Sequence, residues 1–178
     1  MQSVRLLIRY AAALLAAAVL ATHSVEGRPA AEPGSRGAAA AQACRVVPEC
    51  PAFNEVFLNT PPLRHGLADA FRHEKLTPPG WLGEPAATTP MIPLEIDGKA
   101  YLVGKTGEPG KPSHQVAALY DPVKGWVTAT YIDPEGKQAW LGDGQERLRK
   151  VLADYLNTST PLSKAASDAG TALPVRLY

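Results

Sequence analysis

The chain has 178 residues, 46% of them hydrophobic and 20% charged, with 18 basic against 17 acidic side chains. Length and composition fit one small globular domain with its own core. The even charge balance removes the electrostatic ground for binding nucleic acid or an anionic membrane surface.

At the N-terminus, Arg5 and Arg9 precede the apolar run Ala11 to Ala21, which is followed by Thr22, His23 and Ser24. That order is the pattern of a secretory signal, with cleavage near Ser24. The run is shorter than the ~20 apolar residues a spanning helix needs and is rich in weakly hydrophobic alanine. The expectation is a cleaved signal over 1–24 and no membrane association afterwards. Loss of Arg5 and Arg9 leaves 16 basic residues against 17 acids, a mature chain near −1. Residues 25–43 consist of Ala, Gly, Pro, Ser and charges with almost nothing large enough to bury, and they read as a disordered tether.

Cys44 and Cys50, with five residues between them, are the only cysteines. In a chain bound for an oxidising space they read as a small-loop disulfide. No His or further Cys lies near them at ligand spacing, which disfavours a metal, and they do not form the Cys-x-x-Cys of a redox pair.

The folded domain is expected over 44–158. Phe53 to Leu58 is its first segment with aromatic content and is stopped by Pro61 and Pro62. Leu67, Ala70 and Phe71 recur at helical spacing and predict a helix from about Arg64 to Lys75, closed by Pro78 and Pro79. The period then changes to two. Ile92–Ile96, the turn Asp97-Gly98 and Lys99–Val103 predict a hairpin. Gln115–Tyr120, Trp126–Ile132 and Gln138–Leu141 follow, joined by turns at Asp121–Gly125 and Asp133–Gly136. A second helix is expected through about Leu156, capped by Asp143, with Leu148, Val151, Leu152 and Tyr155 facing the core. The whole is an α+β domain: an antiparallel meander of about five strands with the helices packed on one face. No structure is assigned to the tail 159–178.

Nothing in the sequence looks catalytic. There is no Gly-x-Ser-x-Gly elbow, phosphate-cradling Gly-rich loop, His-Glu-x-x-His or free cysteine nucleophile, and no motif calls for a cofactor or metal. His65 and His73 sit among charges on a helix surface. Asp97, Asp121, Asp133 and Glu135 fall at turns, where Asp has a backbone reason to be. One segment has no such explanation: Lys105 to His114 joins two strands with more residues than a tight hairpin needs, and Pro109 and Pro112 stiffen it. Long loops between rigid strands are where binding surfaces are commonly built.

From Leu67 to about Leu156 the sequence resembles the periplasmic lysozyme inhibitors of the Ivy family (inhibitor of vertebrate lysozyme). The resemblance rests on the segment Leu76-Thr-Pro-Pro-Gly-Trp81, the Thr89-Pro90 step, the hairpin at Asp97-Gly98 and Tyr101-Leu-Val103 leading to the loop. It continues through Gln115–Tyr120, the strand end Tyr131-Ile-Asp133, and Trp140-Leu141 before the last helix. It implies a non-enzymatic protein that blocks C-type lysozyme by inserting a loop into the substrate cleft. The family loop reads Cys-Lys-Pro-His-Asp-Cys, with its histidine facing the catalytic carboxylates. Here the corresponding stretch, Thr106-Gly-Glu-Pro-Gly-Lys111, has neither cysteine nor histidine, and His114 follows. The expected plug is the loop 106–114, with site residues Glu108, Pro109, Gly110, Lys111, Pro112, Ser113 and His114. Lys111 or His114 would be the cationic donor, and Glu108 would repel lysozyme carboxylates unless it points elsewhere.

The expected partner is therefore a C-type lysozyme, or an endogenous lytic transglycosylase or related muramidase, met in the periplasm. An immunity-type binder of a delivered toxin stays open, as does an envelope ligand-binding or structural domain in which Trp81, Trp126 and Trp140 line a groove. Core packing is the ordinary role of three tryptophans in a small domain. The oligomeric state is left open, a homodimer included.

Overall fold

In the computed structural model the described residues are 36–85, 87–142 and 144–177. The proposed signal over 1–24, the tether up to residue 35 and the helix cap assigned to Asp143 lie outside them.

The elements in chain order are α1 (Ala38–Ala43), α2 (Phe53–Asn59), α3 (Pro61–His73), β1 (Ala87–Thr88), β2 (Ile92–Ile96), β3 (Lys99–Glu108), β4 (Lys111–Asp121), β5 (Trp126–Ile132), β6 (Gln138–Leu141), α4 (Glu146–Leu156), α5 (Pro161–Ser167) and β7 (Val175–Leu177). Short 3₁₀ turns lie at Val47–Glu49 and Gly80–Gly83. The class is α+β, as expected. The sheet, however, has seven strands in the order β6-β5-β4-β3-β2-β7, with β1 also on β3, and it is mixed, because β7 runs parallel to β2. The five-strand antiparallel meander, β2 to β6, is thus extended by β7 beyond β2 and by β1 on β3.

The central hairpin forms as the sequence predicts. Asp97 and Gly98 both have positive φ, 50° and 74°, the combination that a two-residue type I′ turn requires, and Ile96 pairs with Lys99 across it. Pro61 and Pro62 end α2 but also begin α3. Proline is tolerated in the first helical turn, where its φ is already set and the missing N–H has no intrahelical partner to lose. The helix therefore starts three residues earlier than its apolar repeat suggested.

Helices cover both faces of the sheet, a correction to the one-face arrangement. Along β4 the side chains alternate between two cores. Val116, Ala118 and Tyr120 join Leu63, Leu67 and Phe71 of α3, whereas Ala117 and Leu119 join Val151, Leu152 and Tyr155 of α4. A strand buried on both faces reads as a near-continuous apolar run, and Val116-Ala-Ala-Leu-Tyr120 is one. The α3 layer sits very close to β5: a Cβ on Gly66 would lie 3.0 Å from Val127 Cγ2 and 3.2 Å from the Gly125 carbonyl oxygen.

The ends of the chain contribute more than the sequence suggested. Within the predicted tether, residues 38–43 form α1, and Ala41 is fully buried. In the tail, α5 is capped by the Thr160 hydroxyl, which accepts from the Ser163 N–H at 3.2 Å. The strand β7 then returns to β2. Cys44 and Cys50 are joined in a disulfide and are buried in the α4-side core. Beside it, Val46 bridges Ala172 and the Leu173 N–H donates to Arg45 O at 2.9 Å. The disulfide loop is therefore where the two ends of the domain meet.

Two outcomes follow for stability. Replacing both Cys44 and Cys50 by serine lowers unfolding free energy by about 2 kcal/mol, the chain-entropy value for so short a closed loop, seen as a lower urea midpoint. Gly66→Ala costs roughly 1–3 kcal/mol through overpacking, because one of the atoms in the way is backbone; a thermal midpoint equal to that of the parent would contradict this packing.

Candidate functional site: the β3–β4 hairpin

The segment expected as a long loop is a hairpin end. β3 runs on to Glu108 and β4 resumes at Lys111, so only Pro109 and Gly110 make the turn. Gly110 has φ +78°, and Pro followed by a residue of positive φ is the pattern of a type II turn. The strands persist this far because β3 is supported on both sides. Ala87 and Thr88 of β1 pair with Gly107 and Thr106, while Val116 and Gln115 of β4 pair with the same two residues from the other side.

The extra length noticed in the sequence is taken up by a bulge. Gly107 pairs with Gln115, but the next pair is Glu108 with Lys111, which leaves Pro112, Ser113 and His114 without counterparts on β3. Such an insertion re-aims side chains at a strand end. Pro109 to Ser113 are exposed, whereas His114 is turned inward and only 8% exposed.

His114 is held from three directions. Its Nδ1–H donates to Glu108 Oε2 at 2.7 Å, a carboxylate being able only to accept. Its Nε2 lies 2.8 Å from the Tyr131 hydroxyl; that hydroxyl donates when the ring is neutral and accepts when the ring is protonated. Trp81, buried in the 3₁₀ turn before β1, meets the imidazole edge-on with ring centres 5.0 Å apart, and Tyr131 continues to Phe71 in an edge contact of 5.4 Å. Burial, with Asp133, Glu135 and Glu108 adding to it, raises the Tyr131 hydroxyl above its ordinary pKa and keeps it protonated.

Glu108 also faces Lys111, whose Nζ is 3.3 Å from Oε2. The hydrogen bond from His114, followed by the bond and charge of Lys111, holds the Glu108 carboxyl below the usual range against the opposing effect of burial. Glu108 therefore points back into its own hairpin, and its charge is matched before any partner approaches. Of the two donors expected from the sequence, Lys111 is outside, with 62% of its side chain exposed. His114 is a support of the turn and not a contact residue.

The structure thus brings Glu108, Lys111 and His114 into one cluster, with Pro109, Gly110, Pro112 and Ser113 forming the exposed tip. Sequence reasoning missed Trp81 and Tyr131 as the walls around His114. The alternation of β5 could have indicated the face of Tyr131, but nothing in the sequence fixes the bulge that aims His114 at it. His65 and His73 are exposed on α3. Asp121 and Asp133 accept backbone N–H groups of their own turns, as their positions predicted. Trp140 is half-buried beside Arg149, and Trp126 is exposed. Among the described residues no group of three or more His, Cys, Asp or Glu is placed to hold a metal ion. The sequence matches no family model, and no curated protein matches it.

The pH behaviour of the hairpin follows from Glu108. Its folded-state pKa is lowered relative to the unfolded chain, so its contribution is complete above the ordinary Glu value of about 4.3 and is lost as pH falls through the lower folded value. Carboxyl-carbon NMR should give a Glu108 midpoint below that of an unstructured glutamate. In His114→Ala the midpoint should return toward ordinary, with a loss of stability on the order of 2–4 kcal/mol for emptying a buried site.

Proposed function

We propose that the mature protein is a non-catalytic periplasmic inhibitor of C-type lysozyme or a related peptidoglycan-cleaving muramidase, and that the tip of the β3–β4 hairpin is its plug. The observation that carries this reading is a rigid, exposed turn bearing Lys111, with its one carboxylate folded back onto His114 and Lys111. A glycosidase cleft presents two carboxyl groups on either side of the scissile bond. A tip that brings forward the Lys111 ammonium and the Ser113 hydroxyl, with the Glu108 carboxylate folded back onto its own hairpin, complements such a cleft. Pro109 and the strand pairing around it leave little conformational entropy to lose on insertion. Export rests on the N-terminal segment 1–24, and the inhibitor class rests on the resemblance to the Ivy family.

One observation favours an endogenous lytic transglycosylase over vertebrate-type lysozyme as target. The hairpin has no exposed imidazole, because its histidine is spent on the fold, so the cleft it fits is one that a lysine and a hydroxyl satisfy.

Titration of the mature protein into C-type lysozyme and into a lytic transglycosylase, each acting on cell walls, tests both versions. Slowing of at least one enzyme at micromolar inhibitor is expected, and absence of any slowing sinks the reading. Lys111→Glu should weaken inhibition at least ten-fold, since it sets a like charge against the cleft carboxylates, with the fold intact by circular dichroism.

A further inference from the structure

At the opposite end of β4 from the hairpin tip lies a cavity of about 480 Å³, within the roughly 300–1,000 Å³ range of small-molecule sites. Its lining takes residues from the α4-side face of the sheet and also Gly66, Asp69, Ala70 and His73 of α3. Asp121 pairs with Trp126 across β4 and β5. The pairing of Leu102 with Tyr120 sets Tyr101 of β3 beside Asp121, close enough for the carboxylate to act on the phenol. A carboxylate therefore lies between two aromatic rings in one cross-strand row. Thr128 lies two pairs deeper, on the same face, and Gln145, at the start of α4, lines the wall.

Two features separate this groove from an ordinary strand end. Trp126 is 67% exposed, an indole presented to water. Its ring is held by Lys124, whose Nζ lies 4.4 Å from the ring centre. Asp121 is fixed as well: Val123 and Lys124 both donate their N–H groups to Oδ1, each at 2.9 Å, so Oδ2 is the atom available to a ligand. A preset aromatic platform beside preset polar atoms is the make-up of a small-molecule site.

Charge narrows the ligand class. The lining carries Asp69 and Asp121 against Lys99 and Lys124, so neither a free cation nor a free anion meets an excess of opposite charge. What the groove offers is a flat apolar surface ringed by donors and acceptors of both kinds. A lipid chain would leave those polar groups without partners. A sugar ring has an apolar C–H face for the indole and hydroxyl or acetamide groups for Asp121, Thr128, Gln145 and Lys99. We infer that this groove is a saccharide-binding site that takes a neutral hexose or N-acetylhexosamine unit on Trp126, separate from the hairpin at the other end of the sheet.

Calorimetric titration of the mature protein with the N-acetylglucosamine trimer tests this without any lysozyme present. Saturable binding is expected, with Trp126→Ala weakening it at least ten-fold. Gln145→Ala, an exposed position outside both cores, should weaken it several-fold and supplies the second variant should Trp126→Ala fold poorly. Both variants should inhibit a muramidase as the parent does, whereas Lys111→Glu should bind the trimer normally, so the two sites fail independently. No saturation up to about 10 mM trimer overturns the inference. So does undiminished binding by both variants, or binding of choline in place of the saccharide.

Discussion

Burial of β4 on both of its faces is the constraint from which the rest of this architecture follows. Val116 to Tyr120 is apolar without interruption, so neither face of the strand can be left to water, and each must be covered by a separate helical layer. α2 and α3 supply one layer and α4 with α5 the other. Because β4 has no solvent-facing side along this stretch, its exposed features lie at its two ends. At one end are the hairpin tip and its bulge, at the other the groove between Tyr101, Asp121 and Trp126.

The β3–β4 hairpin is stiffened without a disulfide. Strand pairing on both sides of β3, Pro109 at the turn, and a buried imidazole bonded to Glu108 hold it. Each of these is weak alone, but they act on a segment of four residues and leave few alternatives. The arrangement has a consequence for charge. Glu108 is held back against His114 and Lys111, while the Lys111 ammonium stays the more exposed member of the pair. The acidic residue that looked adverse in the sequence becomes part of the scaffold.

The disulfide and the chain ends form a second system of closure. β7 pairs with β2 in parallel, and parallel neighbours need a long connection; here it passes through the whole of β3 to α5. The contact of Val46 with Ala172 and the Cys44–Cys50 loop secure the meeting of the two ends. Residues 38–43 belong to the same closure, since Ala41 is buried although alanine offered no sign of it.

Much of this was legible from local sequence, and the reason is the same in each case. Asp97-Gly98 specifies its turn because only that backbone geometry joins twisted strands with two residues. The stripe Leu148, Val151, Leu152 and Tyr155 specifies a helix because its spacing puts one face inward, and two cysteines six positions apart close on each other. What lay outside that reach depended on partners distant in the chain. The number of strands required β7 to find β2 some eighty residues away. Covering both faces of the sheet followed from how two helical layers divide one apolar strand. His114 is enclosed by Tyr131 of β5 and Trp81 of the 3₁₀ turn, neither of which adjoins it in sequence. By itself the sequence determined the Asp97-Gly98 hairpin, the central strands and the two main helices, since those depend on residues a few positions apart. Only the tertiary structure decided which way the charged residues of the hairpin face, because that is set by what packs beside them.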